Sequence, residues 1–232
     1  MRNEDLEVVR DNPLLEGVAP AVVESLLRGA FLQRFPAHVD LAREGEPADF
    51  LHVIIEGQVE LFARHNDRET TVSVIGQGQS FIVAAVLLDR MYLKSARAMV
   101  QSRVLLLPAD AVRKGFAEDA ALARHLACEL ACAYRVVVKE LKNQKLRSNL
   151  ERLANWLLVR DAETGGKGRF ALPFDKKVLA ARLGMAPEVL SRSFAALAPY
   201  RVTVAGADIG LHDIAALKNL ARPCPTIDDP TV

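Results

Sequence analysis

Apolar and polar positions along the 232-residue chain follow three rhythms in succession. From Asn3 to Arg28, Leu6, Val9, Leu14 and Leu15, then Val22, Val23, Leu26 and Leu27, recur at helical spacing and predict helical pieces broken by Pro13, Gly17 and Pro20. From Ala30 to Pro108 the period drops to two. Strands are predicted at Phe31–Phe35, Asp40–Ala42, Phe50–Glu56, Gln58–Ala63, Thr70–Ile75, Ala96–Val100 and Arg103–Pro108, each bounded by glycine or charged turns. Short strands at such even spacing suggest a double-sheet jelly roll or barrel. The third rhythm runs from Asp119 to Lys145 as one long helix, on which Leu122, Leu126, Leu130, Ala133, Val137 and Leu141 recur every three or four residues. A helix of that length needs a partner along one stripe, and a homodimer through this seam is the economical reading.

Beyond the long helix the pattern breaks at Lys142–Arg147, which reads as a hinge. Ser148 and Glu151 have the spacing of a capping box for a new helix carrying Leu150, Leu153, Trp156, Leu157 and Leu158. Asp175 to Leu197 then reads as two short helices around a turn at Gly184. Val178, Leu179 and Leu183 face inward on the first helix, with small Ala180 where the second must approach. Pro187 opens the second helix, and Val189, Leu190, Phe194 and Leu197 form its buried stripe. Glu188, Ser191 and Arg192 are left facing out. Arg201 to Leu211 reads as a hairpin wing, Asp213 caps a last helix through Leu220, and the proline-rich tail after Arg222 is expected to be disordered.

Composition narrows the function. The net charge of +1 hides an asymmetry: Lys139 to Leu197 holds 12 Lys and Arg against 6 Asp and Glu, while the remainder is acidic. Positive charge collected around a helix-turn-helix suits a phosphate-binding surface. No apolar run reaches the length of a membrane span, and the charged opening does not read as a signal peptide, so a cytoplasmic protein without membrane contact is expected. Cys128, Cys132 and Cys224 offer neither a disulfide framework nor a tetrahedral metal set. No convergent set of nucleophile, base and metal ligands points to catalysis.

Arg43 to Asp49 (REGEPAD), then Phe50 to Ile55, Gly57, Val59, Leu61, Gly76, Gly78 and Phe81, resemble the cyclic-nucleotide-binding β-roll. The order of β-roll, long helix and helix-turn-helix resembles the Crp/Fnr family of bacterial transcription regulators. The resemblance implies an α+β fold: an N-terminal jelly-roll-like β-roll sensor domain at 1–118, a long dimerisation helix and hinge at 119–146, and a C-terminal winged helix-turn-helix at 147–222, followed by the tail at 223–232. It implies a homodimer on double-stranded DNA, with RNA polymerase as a further partner. Glu188-Val189-Leu190-Ser191-Arg192 fits the Glu-x-x-Ser-Arg pattern of regulators that resemble the fumarate-nitrate regulator and favour palindromic TTGAT-type sites. Glu188, Ser191 and Arg192 would then contact bases, and Lys176, Lys177 and Arg182 phosphates.

The effector region departs from the relatives that bind cyclic AMP. Val83 and Ala84 stand where those carry Gly-Glu for the ribose, and Lys94 and Ser95 where they carry Arg-Ser for the phosphate. A ribose hydroxyl loses its acceptor, and lysine cannot make arginine's bidentate grip, so cyclic AMP is not the expected signal. Phe81, Ile82, Val83, Ala84, Lys94 and Ser95 remain the effector-pocket candidates. The apolar run Phe81 to Leu88 reads first as a packed short helix. An apolar pocket for haem, in a nitric oxide or carbon monoxide sensor, is the alternative, with His52 and His125 the histidines to test. Three cysteines exclude an iron–sulfur cluster held by four thiolates of one chain. A ligand-binding module without DNA is the remaining rival.

Overall fold

The alternating runs form two four-stranded antiparallel sheets. The computed structural model describes residues 8–229, so the expected helical start at Asn3 lies outside the described residues. A 3₁₀ turn at Pro13–Leu15 is capped by Asn12, and helix α1 is Pro20–Arg28. Strands β1 (Phe31–Phe35), β2 (Asp40–Ala42), β3 (Phe50–Glu56), β4 (Gln58–His65), β5 (Arg68–Gly76) and β6 (Ser80–Phe81) follow. Next come the short helix α2 (Val83–Leu88), β7 (Ser95–Ala98), β8 (Ser102–Pro108), α3 (Ala109–Glu118) and the 27-residue α4 (Ala120–Leu146). One sheet has the order β1-β8-β3-β6 and the other β2-β7-β4-β5. Gly57 makes the β3–β4 turn at φ +98°, and a Cβ there would lie 2.3 Å from the Ser102 hydroxyl. Only glycine fits both demands.

The core of this first unit is built from Leu51, Val53, Ile54, Val59, Leu61, Leu105 and Leu107 of the strands, closed by Leu26, Val112, Leu122 and Leu126 of the helices. Leu122 and Leu126 are 1% and 0% exposed. They therefore belong to their own chain's core, and two of the six residues expected in a dimer seam are corrected on that ground. The physical reason is α3, which approaches so closely that a Cβ on Gly115 would lie 2.7 Å from Leu122.

The chain divides into two compact units at Ala133 and Tyr134, inside α4. The start of α4 is built into the first core through Leu122 and Leu126, and its last turns belong to the second unit. The second unit continues with α5 (Asn149–Glu163), β9 (Arg169–Ala171), α6 (Lys176–Arg182), α7 (Pro187–Ala196), a 3₁₀ turn at Ala198–Tyr200, β10 (Val202–Ala205), β11 (Asp208–Leu211), α8 (Ile214–Ala221) and α9 (Pro225–Asp228). The Ser148–Glu151 capping box forms as predicted. The wing hairpin takes a third strand, in the order β10-β11-β9. The tail is not disordered as far as it is described. It forms α9, and Asp228 pairs with Arg147.

One cation organises this unit. Arg152 of α5 is buried, and its Nε donates to the Leu183 carbonyl at 2.9 Å, its Nη1 to the carbonyls of Arg147 (2.9 Å) and Gln144 (3.3 Å), and its Nη2 to Asn149 Oδ1. Carbonyls at helix C-termini have no partner within the helix. Arg152 satisfies those at the ends of α4 and α6 together, and loss of hydration lowers its pKa.

Two predictions follow from these buried groups. Arg152→Met leaves the three carbonyls without their donor and should cost about 3 kcal/mol or more of the second unit's stability. Arg152→Lys should not restore it, since one ammonium cannot span the fork. Urea unfolding followed through Trp156, the chain's single tryptophan, which packs 6.1 Å from Phe174, reads this directly. An unchanged midpoint would refute the clamp. In the first unit, burial pushes His52 from 6.5 to about 4, and its ring stacks on Phe81 at 4.8 Å. The unfolded chain thus takes up this proton first. The stability from His52 is complete above about pH 6.5 and declines as the pH falls towards 4, by about 3 kcal/mol in total. Replacing His52 with Leu should flatten the loss of first-unit stability between pH 6.5 and 4.5, whereas an identical slope would assign that loss to other groups.

Candidate nucleic-acid interface

The helix-turn-helix stands on α5, whose Leu153, Ala154 and Leu157 are fully buried. Asn155 Nδ2 donates to the Ala221 carbonyl at 2.6 Å and so fastens α8, and Asp161 Oδ1 accepts from the Gly168 N–H at 2.7 Å, anchoring the loop before β9. Against this base α6 buries Leu179 and Ala180, with Leu183 just beyond its end, and α7 buries Leu190, Ser193 and Phe194. Gly184 lies between them at φ +63°. Asp175 occupies the N-cap of α6, although its side chain makes no capping bond. Ser193 is buried beside Phe194, so the apolar contact at the end of α7 falls to the phenylalanine.

The exposed residues of α7 include Glu188, Ser191, Arg192 and Ala195. Steps of three and four put them on one face of the helix. Among the described residues no hydrogen bond or ion pair engages Glu188 or Arg192. Lys176 and Lys177 are exposed at the start of α6, Lys176 with its ammonium 5.8 Å from the Phe194 ring. Arg182 departs from the expectation of a phosphate contact: it is partly buried, its guanidinium lies 5.9 Å from the Phe174 ring, and loss of hydration lowers its pKa. The charge count around this element therefore overstates the available surface. Lys139, Lys142, Arg147 and Arg152 are engaged internally, whereas Lys145, Lys167, Arg169, Lys176, Lys177 and Arg192 are exposed.

The effector-pocket candidates separate in the same way. Phe81 and Val83 are buried in the first core with Ala85 and Val86, Ile82 packs against it, and Ala84 is exposed. Val83–Leu88 is a short helix that buries Val83, Ala85 and Val86 and leaves Ala84 and Leu88 exposed. It is held between two non-glycine residues in left-handed conformation, Ile82 (φ +67°) and Asp89 (φ +52°), and a β-branched residue rarely adopts that region. Ser95 is buried and its Oγ accepts from the Glu44 N–H at 3.0 Å, while Lys94 is partly buried and loss of hydration lowers its pKa. The two histidines put forward for haem lie in different surroundings. His52 is 3% exposed beneath Phe81, with the Tyr92 ring edge-on at 6.2 Å, and His125 Nε2 lies 2.8 Å from the Glu16 carbonyl. Among the described residues no group of three or more His, Cys, Asp or Glu could hold a metal ion, and no helix is long and apolar enough to cross a membrane.

Comparison with known proteins follows the same division. Residues 32–119 match the cyclic nucleotide-binding domain and residues 151–220 the Crp-like helix-turn-helix domain, together about two thirds of the chain. The CRP-like cAMP-activated global transcriptional regulator of Mycobacterium tuberculosis is 24% identical over 194 residues, covering 82% of this chain and 87% of that protein. A regulatory protein of Silicibacter pomeroyi DSS-3 is 29% identical with a TM-score of 0.56, covering 94% of this chain and 98% of that one. FixK2 of Bradyrhizobium japonicum shares the fold with a TM-score of 0.71 at 22% identity, covering 84% of this chain and 98% of its own. With both domains matched in order, and with a helix-turn-helix whose polar face stands open, the chain belongs to the Crp/Fnr family of transcription regulators.

Proposed function

We propose that the protein is a homodimeric regulator that reads an inverted repeat through α7, under the control of a signal in the β-roll other than cyclic AMP. The observation that carries this reading is the single open face of α7, on which Glu188, Ser191 and Arg192 have no competing partner. Arg192 can donate two bonds to the N7 and O6 acceptors of guanine, and Glu188 can accept from a cytosine or adenine amino group. A TTGAT-type half-site presents both kinds of base edge. Lys176 and Lys177 supply phosphate contacts that fix register without reading sequence. The buried Ser95, already engaged by Glu44, and the exposed methyl of Ala84 support a signal other than cyclic AMP.

The dimer seam is reassigned. Ala127, Ala131, Tyr134, Val138 and Leu141 are all exposed on α4 and alternate in steps of four and three. That spacing makes a coiled-coil stripe roughly a third of a turn round the helix from Leu122 and Leu126. Tyr134 is 70% exposed. Leu141 is kept from the original seam, Leu130 packs on the first core, and Ala133 and Val137 lie beside the new stripe.

Binding to a fluorescent duplex carrying an inverted TTGAT repeat tests the DNA reading. Arg192→Ala should weaken binding by about 1–3 kcal/mol and relax the preference at one base pair. Lys177→Ala should weaken all sequences alike and reduce the salt dependence by about one counterion. Equal effects of both substitutions on every sequence would overturn base readout by α7. Sedimentation equilibrium tests the seam: Val138→Glu should give a folded monomer, and a dimer that survives it would move the interface elsewhere.

A further inference from the structure

The C-terminal residues after α8 do more than end the chain. Asp228 receives the Arg147 guanidinium in two parallel bonds of 2.6 Å, with side chains only 7% and 14% exposed, and the same carboxylate accepts from the Cys224 N–H at 2.6 Å. One turn earlier on α4, Lys142 Nζ donates to Thr226 Oγ1 at 2.7 Å and to its carbonyl at 3.3 Å. Lys139 Nζ donates to the Asp229 carbonyl at 2.5 Å. From the other side, Arg152 holds the carbonyls of Gln144 and Arg147, and the Gln144 side chain lies 3.3 Å from where a Cβ of Gly184 would stand. Lys142 to Arg147, read from the sequence as a hinge, is fastened from both sides.

Immediately before it the situation reverses. Every residue from Ala131 to Val138 is exposed, and Val136, Val137 and Val138 are three β-branched residues in succession. Such residues lose side-chain freedom in a helix and stabilise it less than unbranched ones.

We infer that Pro223–Asp229 is a strap that makes the last two turns of α4 part of the DNA-binding unit, so that the helix yields at Ala131–Val138 and not at Arg147. The inference goes beyond DNA recognition and can be read without DNA. In a dimer the same yielding stretch carries the proposed seam. Helix integrity there is then set by the partner, while the strap ensures that any bend is delivered whole to α6 and α7.

Amide hydrogen exchange and limited trypsin digestion of the full-length protein test it. In the monomer given by Val138→Glu, where no partner covers the stretch, amides of residues 134–138 should exchange at least tenfold faster than those of 141–147. Asp228→Asn should speed exchange at 141–147, and cleavage after Lys142, Lys145 and Arg147, at least tenfold. Pairing Arg147→Asp with Asp228→Arg should restore much of the protection. Should Asp228→Asn unfold the second unit, seen as loss of native Trp156 emission, Lys142→Met removes only a peripheral link and should still speed cleavage after Lys145 and Arg147 about threefold. Equal exchange across 134–147 in the Val138→Glu monomer, or unchanged protection at 141–147 in the strap variants, overturns the strap.

Discussion

The orientation of the recognition helix depends on one buried guanidinium. A cation taken out of water must find acceptors in every direction in which it has a proton, and few places in a protein supply carbonyls so arranged. Helix C-termini do, because their last carbonyls have lost their helical partners. Arg152 stands where the ends of α4 and α6 converge and binds both, with Asn149 completing the set. The two ends could part only by leaving the cation and three carbonyls unsatisfied together. The turn into α7 is thereby held against the base of the unit, and Glu188, Ser191 and Arg192 are presented as a fixed set.

The same economy explains the double life of α4. Its first turns close the β-roll core through Leu122 and Leu126, and its last turns are held by Arg152 and the residues after α8. Between these anchored ends the helix has apolar side chains and no core of its own. An apolar exposed stripe is stable in water only when something covers it. The alternating spacing of Ala127, Ala131, Tyr134, Val138 and Leu141 suits a second copy of the same helix.

Much of the fold was legible in the chain because strands alternate and turns carry their own chemistry. The edges of β1, β2 and β3 fall where the period of two begins and ends, and the Ser148 capping box announces α5 to the residue. The stripe on α4 was legible only as a period. Leu122 and Leu126 have the same spacing whether they face a partner chain or their own core, and spacing does not say which. Only the packing of α3 decides, and α3 is distant in pattern from both sheets. Arg152 and Asp228 left no signal at all. An arginine after a capping box and an aspartate in a proline-rich tail read as solvated residues, and their meaning lies in carbonyls and a guanidinium brought together from far along the chain. The open face of α7 was readable for the opposite reason: its buried residues and its exposed ones are all local.

A fold does not by itself fix the ligand that it holds. The cyclic nucleotide-binding domain is matched across residues 32–119, and the glycine-dependent β3–β4 turn is intact. Yet a carboxylate is missing at Ala84, Ser95 is engaged by the backbone of Glu44, and apolar packing now fills the turn into α2. Ile82 sustains a positive φ at that turn, a conformation held there by the surrounding core against its own preference. A residue under such constraint at the start of a six-residue helix makes α2 sensitive to whatever packs beside it.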